Sequence, residues 1–167
     1  MLRKILPISA AIFGMTVLPS SAQAATATAS ATAVVLTPIA ISTTTNMSFG
    51  DVYADNVTPG TVVLATDGTR SITGGATLGA TAGAAAVFAV TGNASATYAI
   101  TLPSTDVTLV SGANNMIVNT YVHDAGGAPA LDAGGAASFN VGATLNVGAA
   151  QAPGTYTANF DVIANYN

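Results

Sequence analysis

Residues 155–166, at the C-terminal end of the chain, read TYTANFDVIANY. Apolar or aromatic side chains occupy every second position, namely Tyr156, Ala158, Phe160, Val162, Ala164 and Tyr166, and only Ile163 interrupts the polar positions between them. A period of two is typical of a β-strand with one face on a core and the other in water. At about 3.3 Å per residue this stretch would span roughly 40 Å. We therefore predict that the domain ends in a long amphipathic strand.

The rest of the sequence alternates short β-prone runs with turn residues. Thr, Val, Ile and Tyr recur in the runs, whereas the helix formers Lys and Glu are scarce. Turn dipeptides such as Pro59-Gly60, Asp67-Gly68 and Pro153-Gly154 separate them. The further predicted strands are 34–42, 47–52, 61–65, 70–73, 86–91, 97–102, 107–110, 115–123 and 137–141. Many short strands at this spacing indicate an all-β fold, either a sandwich or a barrel.

The first 24 residues have the features of a secretory signal peptide. Arg3 and Lys4 precede a mostly apolar run over 5–18, and Ala22-Gln23-Ala24 places small residues at the cleavage-defining positions. The apolar run is shorter than the ~20 residues that cross a bilayer as a helix. We expect cleavage before Ala25, export through the periplasm to the cell surface or the medium, and no membrane span in the mature chain. A retained N-terminal anchor is the alternative.

The predicted mature chain divides into an N-terminal segment, 25–45, and a β-domain, 46–167. In 25–33, Ala alternates with Thr or Ser, which is compatible with an extended strand of low hydrophobicity. This early part is either strand or a solvated leader. The stretch 34–42 is more apolar, and Pro38 within it fits an edge or inserted strand.

Charge and cysteine content exclude several classes of function. After removal of residues 1–24, Arg70 is the only basic residue against seven Asp, so the net charge is −6. Nucleic acids and anionic lipids are poor partners for such a chain, because both require a basic surface. With no Cys there are no disulfides, thiolate chemistry or Cys-based metal sites.

The sequence carries no pattern typical of an enzyme. His123-Asp124 is the only pair from which a general base could be built, and no nucleophile motif accompanies it. The Asp residues lack the close spacing of a strong calcium site, and zinc has a single His to use. We predict no catalytic residue, no cofactor and no metal site, and weak calcium binding stays open.

Several segments resemble one family in their order and spacing. They are 47–52 (MSFGDV), 60–63 (GTVV), 88–92 (FAVTG), 98–103 (YAITLP), 141–147 (VGATLNV) and 154–167 (GTYTANFDVIANYN). Together they resemble a family of uncharacterised bacterial secreted domains related to fimbrial subunits. The resemblance runs from about Val34 to the end of the chain. It implies an immunoglobulin-like, pilin-type β-sandwich without a known enzymatic activity.

The C-terminus also resembles subunits assembled by the chaperone/usher route, since Gly154 is the fourteenth residue from the end and Tyr166 the penultimate one. That resemblance implies a sandwich completed by a donated strand, with a periplasmic chaperone, an outer-membrane usher and homologous subunits as partners. Such a strand binds by β-augmentation. The interface residues it implies are Val35, Ile39, Ile41, Gly154, Tyr156, Phe160, Val162 and Tyr166.

Two hypotheses about function follow. The first is a structural subunit of a surface fimbria or similar assembly, with its donor strand in Ala25–Ser42. The second is a monomeric secreted β-sandwich that acts as an adhesive or carbohydrate-binding module, with 34–42 as the first strand of a closed domain. Tyr53 and Tyr121 are the aromatic residues available for such a binding face.

Overall fold

The structure is a computed structural model that describes residues 23–167. Residues 1–22, and with them most of the predicted signal peptide, lie outside the described residues. The chain divides into one unit that ends at Val34 and a second unit, Val35–Asn167. In the first unit, residues 23–34 are exposed and have no regular secondary structure. Within 23–167, no helix is long and apolar enough to span a membrane.

The second unit is built from β-strands, and its described residues contain no helix. The strands are β1 (Ala40–Thr45), β2 (Val52–Tyr53), β3 (Gly60–Leu64), β4 (Arg70–Gly74), β5 (Thr77–Leu78), β6 (Ala86–Thr91), β7 (Tyr98–Thr101), β8 (Val107–Ser111), β9 (Asn114–His123), β10 (Ala136–Val147) and β11 (Ile163–Tyr166). The prediction of an all-β fold is therefore confirmed.

Strand β10 organises the main sheet, which has seven antiparallel strands. Its first half pairs with β6, which in turn pairs with β1, and its second half pairs with β3, which pairs with β4. Strand β9 pairs along the opposite edge of β10, and β8 follows β9. Because β10 changes partners halfway, and its pairing with β9 is irregular between Gly142 and Thr144, the sheet curls. Two further pairs, β7 with β11 and β2 with β5, complete the pairing.

The first core cluster lies under β6 and the first half of β10. Alternate residues of β6 point inward, and the ring of Phe88 stacks on that of Phe139 with 5.5 Å between centroids. Strands β7 and β11 contribute Tyr98 and Ala164, both buried. Each fully buried Phe or Val stabilises the fold by about 1.5–3 kcal/mol. This cluster therefore holds the β7–β11 pair against the main sheet.

The second core cluster lies under β3, β9 and the second half of β10. Val62, Val118 and Leu145 occupy one row of this sheet, because Leu145 is opposite both of the other two. Ala76, Ala143 and Val147 complete the buried set. Met47 and Tyr121 pack against both clusters, so the core is continuous across the curl.

Most of the predicted strands are confirmed, and 86–91 is reproduced to the residue as β6. Four predictions were wrong in extent. The predicted strand 47–52 is reduced to an isolated bridge at Ser48 and to β2 at Val52–Tyr53, because only these residues form bridge or strand pairs, with Ala84 and β5. The first strand begins at Ala40 rather than at 34, because pairing with β6 begins at Ala40. Strand β10 continues past 141 to Val147, where it meets β3. The predicted strand over 155–166 is reduced to Ile163–Tyr166, where β7 supplies a partner.

Candidate functional site

An open groove of about 990 Å³ runs over the second core cluster. Its floor comes from the inner faces of β8, β9 and β10 and consists of Val107, Leu109, Met116, Val118, Tyr121, Leu145 and Val147. Two stretches of chain form its walls, 47–54 on one side and 150–158 with Phe160 on the other. The site is therefore a long apolar groove bounded by backbone.

The period of two in β8 and β9 creates the floor. Leu109 is opposite Met116, and Val107 is opposite Val118, so these side chains share one face of the sheet. Val118 is 2% exposed, whereas Leu109 and Met116 are half-buried. Part of the second core cluster thus remains open to the groove, as apolar surface that a further element could cover.

The wall formed by residues 47–54 is fastened to the domain at a few points. The main chain of Ser48 exchanges two hydrogen bonds of 2.8 Å with that of Ala84. Strand β2 contributes one short pairing with β5. The carboxylate of Asp51 accepts a 2.6 Å hydrogen bond from the hydroxyl of Thr81. Two-residue strands are weak by themselves, so the position of this wall depends on these anchors.

The wall formed by residues 150–160 has little main-chain pairing. Thr157 and Val110 form one bridge, with N–H···O distances of 3.0 and 3.1 Å. From 158 to 162, no backbone hydrogen bond to another backbone group of the described chain is present. Buried or pairing-competent backbone groups need partners from protein or water. The backbone groups of residues 158–162 therefore depend on partners other than the backbone of the described chain.

Side chains hold the wall of residues 150–160 in place where backbone pairing does not. The hydroxyl of Tyr156 donates a 2.7 Å hydrogen bond to the carbonyl of Ala152 and accepts one of 2.8 Å from Gln151 Nε2. The ring of Phe160 lies 5.2 Å from that of Tyr121 and 6.3 Å from that of Phe88. Phe160 thus joins this wall to the first core cluster.

The structure divides the predicted C-terminal interface residues into two sets. Gly154, Tyr156 and Phe160 line the groove. Val162 and Tyr166 instead pack against the first core cluster. The hydroxyl of Tyr166 donates a 2.7 Å hydrogen bond to the carbonyl of Thr37 and accepts one of 2.6 Å from the amide of Asn93, so it joins the start and end of the folded unit.

The predicted N-terminal interface residues also separate. Ile39 and Ile41 are half-buried against the first core cluster, and Ile41 is opposite Val90 in the β1–β6 pair. Val35 is 95% exposed, and its neighbours Val34 and Leu36 are 83% and 57% exposed. Large aliphatic side chains thus protrude just before the point where β1 joins the sheet.

The polar residues considered for chemistry are dispersed. His123, at the end of β9, packs edge-on against Phe139 at 6.1 Å, and its buried Nδ1 has no hydrogen-bond partner among the described residues. Asp55 accepts hydrogen bonds from the amides of Thr58 and Val57, and these lower the pKa of its carboxyl. No group of three or more His, Cys, Asp or Glu able to hold a metal lies within the described part of the chain.

Sequence reasoning missed the groove floor. It also missed that the guanidinium of Arg70 donates hydrogen bonds to the carbonyls of Phe49 and Asp51 in one wall of the groove. The alternation of β9, in which Met116 and Val118 share a parity, was available in the sequence and identifies an inward face. It does not say whether that face is covered. Arg70 gave no signal beyond being the sole Lys or Arg in residues 25–167.

The fold and site define an all-β domain with a curled antiparallel sheet and an open apolar groove. The model of a family described as a domain of unknown function (DUF4402) matches residues 39–166, and the chain belongs to this family. The matched span begins one residue before β1 and ends with β11, so it coincides with the folded part. No curated protein and no solved structure matches the chain.

Proposed function

We propose that this protein is an exported structural subunit of a surface fimbria or similar extracellular assembly, and that its groove accepts a β-strand from a second copy. One observation carries the proposal: an apolar floor lies beside residues 158–162, of which Ala158 and Phe160 line the groove and whose backbone has no backbone partner in the described chain. In β-augmentation, main-chain hydrogen bonds supply affinity and alternate side chains supply specificity. The unpaired backbone of residues 158–162 would supply the hydrogen bonds, and the apolar floor would contact the alternate side chains.

The donor in this proposal is the segment 25–36 of the second copy. Residues 25–36 are exposed and precede the family domain. At about 3.3 Å per residue they could extend over roughly 40 Å as a strand. Val34, Val35 and Leu36 are exposed aliphatic residues at its end, and such surface favours association. Val35 is the best anchor of the predicted donor residues, because Ile39 and Ile41 already serve their own domain.

The wider architecture of the proposal is a pilin-type, immunoglobulin-like sandwich. Strands β7 and β11 would be the second layer, and their contribution of Tyr98 and Ala164 to the first core cluster supports this. The signal peptide predicted over residues 1–24 supports export, and a periplasmic chaperone would occupy the groove until the donor strand replaced it. An usher would then release the assembly at the outer membrane.

A second candidate is the monomeric adhesive or carbohydrate-binding module. Tyr53 favours it, because this side chain is 65% exposed and lies beside the groove. Aromatic side chains of this kind offer an apolar face and a hydroxyl to a ligand. In this case the groove would bind the ligand, and the segment 25–36 would have no partner.

The test compares the chain from Ala25 with a shortened chain from Thr37, which retains β1 and the Tyr166 contact. We expect the longer chain to form multimers in light scattering and the shortened chain to be monomeric and to bind a peptide of residues 25–38. Val35→Asp in the longer chain should abolish the multimers. Val57→Asp, at an 83% exposed turn position, is the matched control and should not. Monomers throughout, with no peptide binding, would refute strand donation.

A further inference from the structure

Arg70, the first residue of β4, lies where an edge strand of the main sheet approaches one wall of the groove. It is half-buried and is opposite Leu64 in the β3–β4 pair. Its guanidinium donates from Nη1 to the carbonyls of Phe49, at 2.7 Å, and Asp51, at 3.1 Å. From Nη2 it donates to the carbonyl of Gly79, at 3.3 Å. All three acceptors are backbone carbonyls, so the guanidinium of Arg70 makes its hydrogen bonds to the protein's own main chain.

The three acceptors connect separate parts of the chain. Phe49 and Asp51 belong to the wall formed by residues 47–54, whereas Gly79 follows β5. The amide of Gly79 also donates a 2.8 Å hydrogen bond to the carbonyl of Asp51. The guanidinium is planar and presents several donors in a fixed arrangement, which lets one side chain bind carbonyls from different segments.

The backbone around Arg70 is shaped for its side chain. Gly50 has a φ of +66°, and a Cβ at this position would lie 2.7 Å from Arg70 Nη1. A Cβ on Gly83 would lie 2.8 Å from Arg70 Cδ. Glycine at position 83 lets its loop approach the arginine. At Gly50 a Cβ would also collide with the carbonyl oxygens of Thr81 and Ala82, so the backbone of that loop requires glycine there as well.

We infer that Arg70 is a positioning residue of the groove, whose guanidinium holds residues 47–53 in place as one wall. The other anchors of this wall are the Ser48–Ala84 bridge, the two-residue β2–β5 pair, the hydrogen bond from the amide of Gly79 to the carbonyl of Asp51, and the Asp51–Thr81 contact. Without Arg70 the segment between Ser48 and β2 would lose the hydrogen bonds to Phe49 and one of those to Asp51. The inference rests on the proposed function only for the identity of what the groove binds. The positioning of the wall by Arg70 does not depend on it.

The experiment uses the exported chain from Ala25 and measures amide hydrogen exchange together with binding of a labelled peptide of residues 25–38. In Arg70→Met we expect the amides of Ser48 and Gly79 to exchange about 10- to 100-fold faster, since each factor of ten corresponds to about 1.4 kcal/mol of local stability. Core amides of β6 and β10 should change much less. Peptide affinity should fall by about tenfold or more.

Two variants keep the result interpretable. Arg70→Lys retains the charge but reaches fewer carbonyls, so it should give intermediate exchange rates at Ser48 and Gly79 even if Arg70→Met does not fold. Gly127→Asp makes the same change of net charge at an exposed position where a Cβ meets no atom within 4 Å, and it should leave exchange and affinity unchanged.

The outcomes separate the two proposals. Unchanged exchange at Ser48 and Gly79, or equal acceleration of the core amides, would overturn the role of Arg70 while leaving strand donation intact. Local acceleration in a protein that never binds the peptide would support the role of Arg70 and contradict strand donation.

Discussion

Replacing Tyr166 by Phe removes a single hydroxyl group that joins three parts of the chain. This hydroxyl donates to the carbonyl of Thr37, just before β1, and accepts from the amide of Asn93, just after β6. The ring packs against the first core cluster, and Phe would preserve that packing. The substitution therefore tests the hydrogen bonds alone.

The expected loss of stability follows from the surroundings of the two partners. Thr37 is exposed, so water can replace the hydroxyl at its carbonyl, and that bond contributes about 0.5–1 kcal/mol. Asn93 is half-buried, so water reaches its amide only in part. Losing the hydrogen bond from this amide to the Tyr166 hydroxyl therefore costs about 1–2 kcal/mol. The sum is about 2 kcal/mol. For a folded chain of this size it lowers the Tm by roughly 6 °C.

The assay is thermal and urea denaturation of the chain from Ala25 at one fixed protein concentration. Tyr53→Phe is the matched control, because it makes the same chemical change on a side chain that is 65% exposed and whose hydroxyl has no hydrogen bond within the described residues. We expect the control to stay within about 0.5 kcal/mol of the unaltered chain. Equal stability of the two variants would refute the assignment of a structural role to the Tyr166 hydroxyl.

Three further predictions concern the core, a close contact and a turn. Phe139→Ala, at a side chain 2% exposed, should cost about 3–5 kcal/mol in urea denaturation; a loss under about 1 kcal/mol would contradict its central place in the core. Gly92→Ala should destabilise the chain and displace Tyr166, because a Cβ there would collide with its hydroxyl; an unchanged tyrosine environment by NMR would disprove this. The amides of Thr58 and its neighbour lower the pKa of Asp55, so its carboxylate favours folding above the unfolded pKa of about 3.9, and this contribution disappears as the pH falls through the lower folded value. Asp55→Asn should flatten that acid dependence in denaturation curves, and an unaltered pH profile would exclude the effect.

The sequence predicts the bounds of a strand correctly where the alternation of apolar side chains coincides with the stretch that pairs with a neighbouring strand. Strand β6 was predicted to the residue, because Ala86, Phe88 and Val90 alternate with less buried positions and Gly92 follows the strand. The extension of β10 past Val141 was missed, and the residue that follows Val141 is Gly142. In the structure the β9–β10 register shifts just after Gly142, and a glycine inside a strand often marks such an irregularity.

Hydrophobicity alone misplaced the first strand. Val34, Val35 and Leu36 suggested a strand because they are apolar, yet they are exposed and pairing begins only at Ala40. A strand needs the edge of another strand as a partner. Strand β6 ends at Thr91, which pairs with Ala40, so the residues before Ala40 have no partner on β6. Sequence pattern describes what a side chain prefers, but not whether a neighbouring strand reaches it.

In the C-terminal stretch, too, the side-chain pattern extends further than the strand pairing, and here the difference bears on function. Phe160 and Val162 are half-buried while Asn159 and Asp161 are exposed, so the alternation of side chains persists before β11 begins. The backbone there has no strand partner in the described chain. Phe160 and Val162 pack against the first core cluster of their own domain, and this packing accounts for the alternation of side chains. Intramolecular packing does not account for the unpaired backbone beside these side chains, and this is the reason for preferring strand donation to a groove that binds a small ligand.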